Sequence, residues 1–196
     1  MPPAVRVPAL GVVTIALVAT LSGTPPAADR PPPARPKEHK TFRSDSGYRA
    51  VAEPVRLRIP DLGIDGKVQR IGRNPDGTIA VPERTDVAGW YRHGPRPGQP
   101  GPAVVLGHVD SRDGPGIFLD LSRAQPGSTV RIDRADGSAV SFRITGISRV
   151  AKVSFPTDLV YGPTLDPSLR LVTCGGSFDR VRRSYRDNVI AYADQV

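Results

Sequence analysis

One cysteine, three histidines and a crowd of arginines are the residues of this 196-residue chain that could carry covalent chemistry. Cys174 ends the run Leu169-Arg170-Leu171-Val172-Thr173 and is followed by Gly175-Gly176. A thiolate attacks carbonyl carbon, but a free thiol is only slightly ionised at neutral pH. An imidazole beside it can share the proton and later protonate a leaving amine. The tetrahedral intermediate then needs a donor for its negative oxygen, worth about 3–4 kcal/mol of barrier. Arginine suits that task better than lysine, because it stays charged and its fork of donors is rigid. His39 lies in a Pro-rich stretch and His93 among Pro, Gly and Arg, whereas His108 directly follows an apolar run, with Asp110 and Ser111 just after. Arg186 precedes a second apolar run. His108, Cys174 and Arg186 are therefore the candidates for one site. Taken singly, each has a plainer reading: a buried thiol behaves as a small hydrophobe, a histidine at a strand end bonds the rim, and an arginine sits on the surface. Composition and spacing leave both readings open.

The elements that must position these groups are strands. Leu169 to Thr173 reads as a strand stopped by the two glycines, and Asn188 to Tyr192 as another. Paired antiparallel, they return Arg186 to the neighbourhood of Cys174. Ala103-Val104-Val105-Leu106 is a continuous apolar strand that delivers His108 to a rim, where sites are readily built. Upstream, Val55 to Ile59 alternates apolar and basic, and Ile64 to Ile71 extends. Asn74-Pro75-Asp76-Gly77 turns into a strand over 78–81, and 89–102 is a loop in which Trp90 packs. Thr129 to Ile132 and Val140 to Ile144 form a hairpin about Asp136-Gly137, Ile147 to Val153 continues the sheet, and a helical turn lies near Asp158. With 22 Pro and 20 Gly, short strands and turns every ten residues or so, the fold is all-β, a closed barrel or a sandwich.

Residues 1–23 hold an apolar run from Ala9 to Leu21, a signal or membrane-anchor segment. Residues 24–52 are Pro-rich, charged and unable to build a core, which predicts a disordered linker. The catalytic domain is expected over 53–196. Net charge is +8, half of it in residues 1–52, which fits an anionic envelope surface. Basic residues do not alternate with aromatics along one element, so no nucleic-acid partner is expected. The His and Cys residues have no zinc spacing, and neither a metal nor another cofactor is expected. Positive residues after the apolar run oppose an anchor with its N-terminus inside, but the long spacer favours an extracytoplasmic domain on a single-pass N-terminal anchor.

Several motifs in order carry a resemblance. Leu171-Val172-Thr173-Cys174, Gly107-His108-Val109-Asp110 and Tyr185-Arg186-Asp187-Asn188-Val189-Ile190 resemble the cysteine, histidine and arginine segments of sortases, the cysteine transpeptidases of Gram-positive envelopes. Arg58-Ile59-Pro60, Gly77 to Pro82, Ala88 to Tyr91 and Gly175 to Asp179 are similar to the actinobacterial class F-like (class E/F-like) group. The resemblance implies an eight-stranded β-barrel with short helical turns. It implies cleavage of an LPXTG-like sorting signal between Thr and Gly, through a thioacyl enzyme resolved by a peptidoglycan precursor amine. Cys174 would be nucleophile, His108 general acid and base, Arg186 the oxyanion and substrate residue, with Thr173 and Asn188 lining the site. In many sortases the arginine stands where this chain has Asn188. Arg186 lies two positions earlier, hence on the same face of an extended strand, with Arg182 and Arg183 as rivals. Two other readings remain: a cysteine peptidase or transpeptidase acting on cell-wall stem peptides, and a non-catalytic envelope binding module with an inert thiol.

Overall fold

Strand β1 (Pro54–Ile59) sets the pattern for the barrel. Leu57 and Ile59 are fully buried, while Arg56 and Arg58 point outward to Asp65 and Asp133. This is period-2 alternation with one apolar face. The computed structural model describes residues 50–112 and 114–196. The expected membrane segment 1–23, and residues 24–49 of the expected linker, lie outside the described residues.

The 3₁₀ turn Pro60–Leu62 leads into β2 (Ile64–Ile71), which pairs antiparallel with β1. The strand expected over 78–81 is not formed. The Asp76 carboxylate accepts both the N–H and the hydroxyl of Thr78, so the turn closes on itself and a single bridge, Arg73 to Ile79, remains. Conversely, Ala88–Tyr91, which takes in the start of the expected loop, is strand β3. It pairs parallel with β2 and is buried on both faces, so its sequence does not alternate. Trp90 packs in the core and donates from its indole N–H to the Pro95 carbonyl.

After β3 come β4 (Gly101–Leu106), the two-residue ladder of β5 (Asp110–Ser111) and β6 (Gly114–Pro115), and a 3₁₀ turn at Leu121–Arg123. β7 (Thr129–Arg134) and β8 (Ala139–Ala151) form the hairpin expected about Asp136-Gly137. The helical turn α1 (Thr157–Tyr161) precedes β9 (Pro167–Asp179) and β10 (Ser184–Gln195). The barrel order is β1-β2-β3-β4-β9-β10-β8-β7, eight strands closing on themselves. The expected all-β closed barrel is the fold found. Closure leaves no unpaired edge.

The chain buries apolar side chains on both sides of the barrel wall. Leu57, Val105, Phe142, Leu171 and Ala191 belong to the interior cluster. Val104, Val172, Ile190 and Tyr91 belong to a second cluster outside, beneath Val160 of α1. That outer layer matters to the site, because β4 and β9 run beside each other under it.

Candidate active site

β4 and β9 pair parallel, with Leu106 opposite Val172. The Gly107 N–H extends this ladder by donating to the Val172 carbonyl at 3.0 Å. Continuing the register by two residues places His108 beside Cys174, on neighbouring strands about 5 Å apart. On the other side of β9, Asn188 of β10 is the direct partner of Cys174. Antiparallel partners point to the same face. Cys174 and Asn188 thus face the same way at the barrel rim, and His108, two residues past the end of β4, lines one cleft with Cys174. Next below them runs the apolar row Leu106, Val172 and Ile190.

The chain past His108 folds back on itself. The Phe118 N–H donates to the His108 carbonyl, and Phe118 is fully buried. Gly116 lies against the same carbonyl, where a Cβ would stand 2.2 Å from the oxygen. The His108 Nε2 is 2.6 Å from the Pro82 carbonyl oxygen. A carbonyl only accepts, so Nε2 carries the proton and Nδ1 is the nitrogen left to act as base.

Cys174 was expected where a strand gives way to a flexible loop. Instead β9 continues to Asp179, and with β10 it extends beyond the rim as a hairpin arm. The arm is irregular at one place: the register shifts between Tyr185 and Asp187, opposite Gly176 at φ +74°. Glycine reaches that conformation without strain, and an extra residue there is a β-bulge. The turn 180–183 is organised by Asp179, whose Oδ1 accepts the N–H groups of Val181 and Arg182. The Arg182 N–H is the main reason the Asp179 carboxyl sits below the usual carboxylate range. Arg183 closes the turn at φ +51°, a left-handed conformation that costs an ordinary side chain roughly 1–2 kcal/mol.

Three clefts meet at this arm. The first, about 510 Å³, is lined by His108, Cys174, Asp110, Arg183 and Tyr185, among others. The second, about 120 Å³, opens from the barrel mouth and is lined by Cys174, Thr173, Arg149 and Tyr185, among others. The third, about 700 Å³, is lined by Lys152, Asp179, Arg182 and Arg186, with Tyr185 again on its wall. Tyr185 is the partition. Its hydroxyl donates to Asp110 Oδ2 at 2.5 Å, and its ring meets Phe178 edge-on at 5.2 Å. The bond to Asp110, then burial and the nearby Asp110 and Cys174 charges, push the phenol above its ordinary range.

The structure therefore brings His108 and Cys174 together, with Asn188 in register beside the cysteine. Thr173 is buried on the inner row, 4% exposed, and its Oγ1 has no hydrogen-bond partner among the described residues. Arg186 stands apart from the cysteine cleft. It lies opposite the extra residue of β9, lines the neighbouring cleft, and pairs with Asp179 Oδ2 at 3.4 Å. The arginines lining the His108–Cys174 cleft are Arg112 and Arg183. Tyr185, Asp110 and Arg149 were not singled out from sequence as site residues. Tyr185 and Asp110 stand in the very motifs that were quoted, but nothing local announces that they bond across 75 positions. Among the described residues no group of three or more His, Cys, Asp or Glu could hold a metal ion.

Comparison with known proteins adds independent findings. The family model described as "Sortase domain" matches residues 57–196. Sortase C-1 from Actinomyces oris superposes with a TM-score of 0.57 at 19% identity, covering 74% of this chain and 75% of that one. A lid mutant of sortase A from Corynebacterium diphtheriae gives 0.58 at 17%, covering 76% and 73%. The sortase D5 transpeptidase of Clostridium perfringens gives 0.54 at 18%, covering 74% and 79%. At such identities these three show a shared fold. A comparison with the curated proteins finds no match.

Proposed function

The chain belongs to the sortase family of cysteine transpeptidases, and on that premise we propose that it is a class E/F-like sortase that cuts an LPXTG-like sorting signal between Thr and Gly. The observation that supports this is that His108, two residues past the end of β4, and Cys174 of its parallel neighbour β9 line one cleft with Arg112 and Arg183.

In this reading Cys174 Sγ attacks the Thr carbonyl carbon. His108 Nδ1 takes the thiol proton, and its Nε2–H stays on the Pro82 carbonyl, so one tautomer is held throughout. The tetrahedral oxyanion is met by a guanidinium. Arg183 is favoured here over Arg186, because it lines the cysteine cleft, as Arg112 also does, while Arg186 lines the neighbouring one. The imidazolium then protonates the leaving glycine nitrogen, the C–N bond breaks, and a thioester remains on Cys174. A neutral amine of a peptidoglycan precursor attacks that thioester, gives its proton to His108 and releases the thiolate. Asn188 lies where its amide can bond the substrate main chain, and Thr173 lines the inner side of the sulfur. The apolar segment 1–23 would hold the barrel at the outer face of the membrane, with 24–52 as spacer.

The test is product mass spectrometry with a panel of sorting-signal peptides and an added amine. The expected result is cleavage after Thr, a thioacyl adduct on Cys174, and loss of all turnover in Cys174→Ala. Turnover that survives Cys174→Ala, or inert sorting peptides beside rapid cutting of cell-wall stem peptides, would overturn the reading.

A further inference from the structure

A transpeptidase brings two substrates to one atom, and Cys174 opens on two clefts. The cleft shared with His108 has room for a peptide. The other, about 120 Å³, has space for the end of a side chain, given about 30 Å³ for each water in bulk liquid. It lies on the inner row of the wall: Thr173 pairs with Val189 on β10, and Val189 with Arg149 on β8. Arg149 is thus two strand spacings from Thr173, about 10 Å between backbones, and a guanidinium bridges most of that distance. Arg149 is the sole charged residue among the lining residues of this cleft. No carboxylate in the lining neutralises it. Thr173 lines the same cleft, 4% exposed, with a buried hydroxyl that lacks a partner. A cation and an unmet polar group beside the nucleophile describe a place for a small polar, anionic end.

We propose that this inner cleft is the acyl-acceptor site, and that it takes an amine borne next to a carboxylate, with Arg149 holding the carboxylate and the amine directed at the thioester on Cys174. The proposal rests on the transpeptidase reading given above and names its second substrate. The amine must attack as the neutral base. A fixed guanidinium nearby disfavours the ammonium form and so assists its deprotonation. The amine nitrogen forms the new bond to the thioester carbon, its proton passes to His108, and the carbon–sulfur bond breaks to return the Cys174 thiolate. The donor peptide occupies the outer cleft, and once its leaving group has departed the acceptor amine reaches from the inner cleft to the thioester carbon at Cys174, beside His108.

The experiment uses glycine and glycinamide, amines that differ by the carboxylate, as acceptors for the acyl-enzyme formed from a sorting-signal peptide. Transfer to each is measured by mass spectrometry relative to hydrolysis by the same variant. The amines' own basicities are common to all variants and cancel when ratios are compared. In Arg149→Gln the glycine-to-glycinamide ratio should fall about tenfold from wild type, and in Arg149→Lys by less. A ratio within threefold of wild type in Arg149→Gln overturns the proposal, as does an equal fall in Arg149→Lys. An effect confined to KM for the sorting peptide also overturns it and assigns Arg149 to the donor. If the acyl-enzyme forms and hydrolyses but the ratio does not move, only the acceptor site is lost. If no Cys174-dependent acyl-enzyme forms at all, the transpeptidase reading falls and takes this proposal with it.

Discussion

Replacing Arg183 by glycine should separate activity from stability. Arg183 stands at φ +51° in the turn of the β9–β10 arm. For an L-residue that backbone costs roughly 1–2 kcal/mol, whereas glycine adopts it freely. Glycine loses more chain entropy on folding, on the order of 0.5–1 kcal/mol. The net expectation for Arg183→Gly is between no change and a gain of about 1 kcal/mol. For a folded unit of this size that is a rise in Tm of roughly 0–4 °C. The same change removes one of the two guanidinium groups of the His108–Cys174 cleft and leaves Arg112. Loss of one oxyanion donor costs about 3–4 kcal/mol of barrier, or roughly 10²–10³-fold in kcat. The paired control is Arg186→Ala. Arg186 has a side chain 67% exposed, and its ion pair to Asp179 is long. Exposed pairs contribute under about 1 kcal/mol, so this variant should stay within about fivefold of wild type. Both are read by cleavage of a fluorogenic sorting peptide and by thermal unfolding of the same preparations. Near-normal kcat in Arg183→Gly together with a dead Arg186→Ala would refute the reasoning and return the role to Arg186. A marked fall in Tm of Arg183→Gly would refute the strain argument alone.

Two further outcomes follow from particular residues. Gly176→Ala should lower stability by about 1–2 kcal/mol, because φ is +74° there; the 2.2 Å approach of a Cβ to Asp187 Oδ2 adds little, since that carboxylate can swing away. Unchanged Tm in this variant would mean that the bulge relaxes at no cost. Burial, with Tyr91 nearby, pushes the Tyr161 phenol up to about 12. Its folded-state pKa is raised, so its contribution is complete below pH 10 and is lost as pH climbs from 10 towards 12. The wild type should therefore lose on the order of 1–2 kcal/mol relative to Tyr161→Phe across that window, read by urea unfolding at several pH values. A difference that stays constant with pH would contradict the burial.

Most of the strands were legible, because their signals are local. Val55 to Ile59 alternates, Asp136-Gly137 is a hairpin turn, and Ala103 to Leu106 is apolar and bounded by Gly. The antiparallel pairing of the strands around Cys174 and Asn188 followed from their chemistry and the turn between them. β3 was missed because a strand flanked on one side by a parallel neighbour, and buried on both faces, has no alternation to read; Gly89 and the Pro-rich segment after it point to a loop. The strand expected over 78–81 failed for the opposite reason: its apolar residues are real, but Asp76 locks the turn onto Thr78 before a ladder can grow. At the site, His108 and Cys174 were recognisable by type, since few other residues could do the chemistry. The arginine was harder. The expectation for Arg186 rests on its spacing from Asn188 along β10, and the extra residue of β9 opposite it could not be read from that spacing. Arg149 and the Tyr185–Asp110 bond are products of barrel closure, in which distant strands become neighbours, and no spacing along the chain encodes them.

β10 lies in the middle of the wall, between β9 and β8, although it follows both in sequence. Until residues 184–195 have emerged from the ribosome, the wall has a gap beside Cys174. Local hairpins can form during synthesis, but the pairing of β10 on both sides must wait, and such long-range closure is slow. The row of side chains around Cys174 is thus completed only once β10 has paired on both sides.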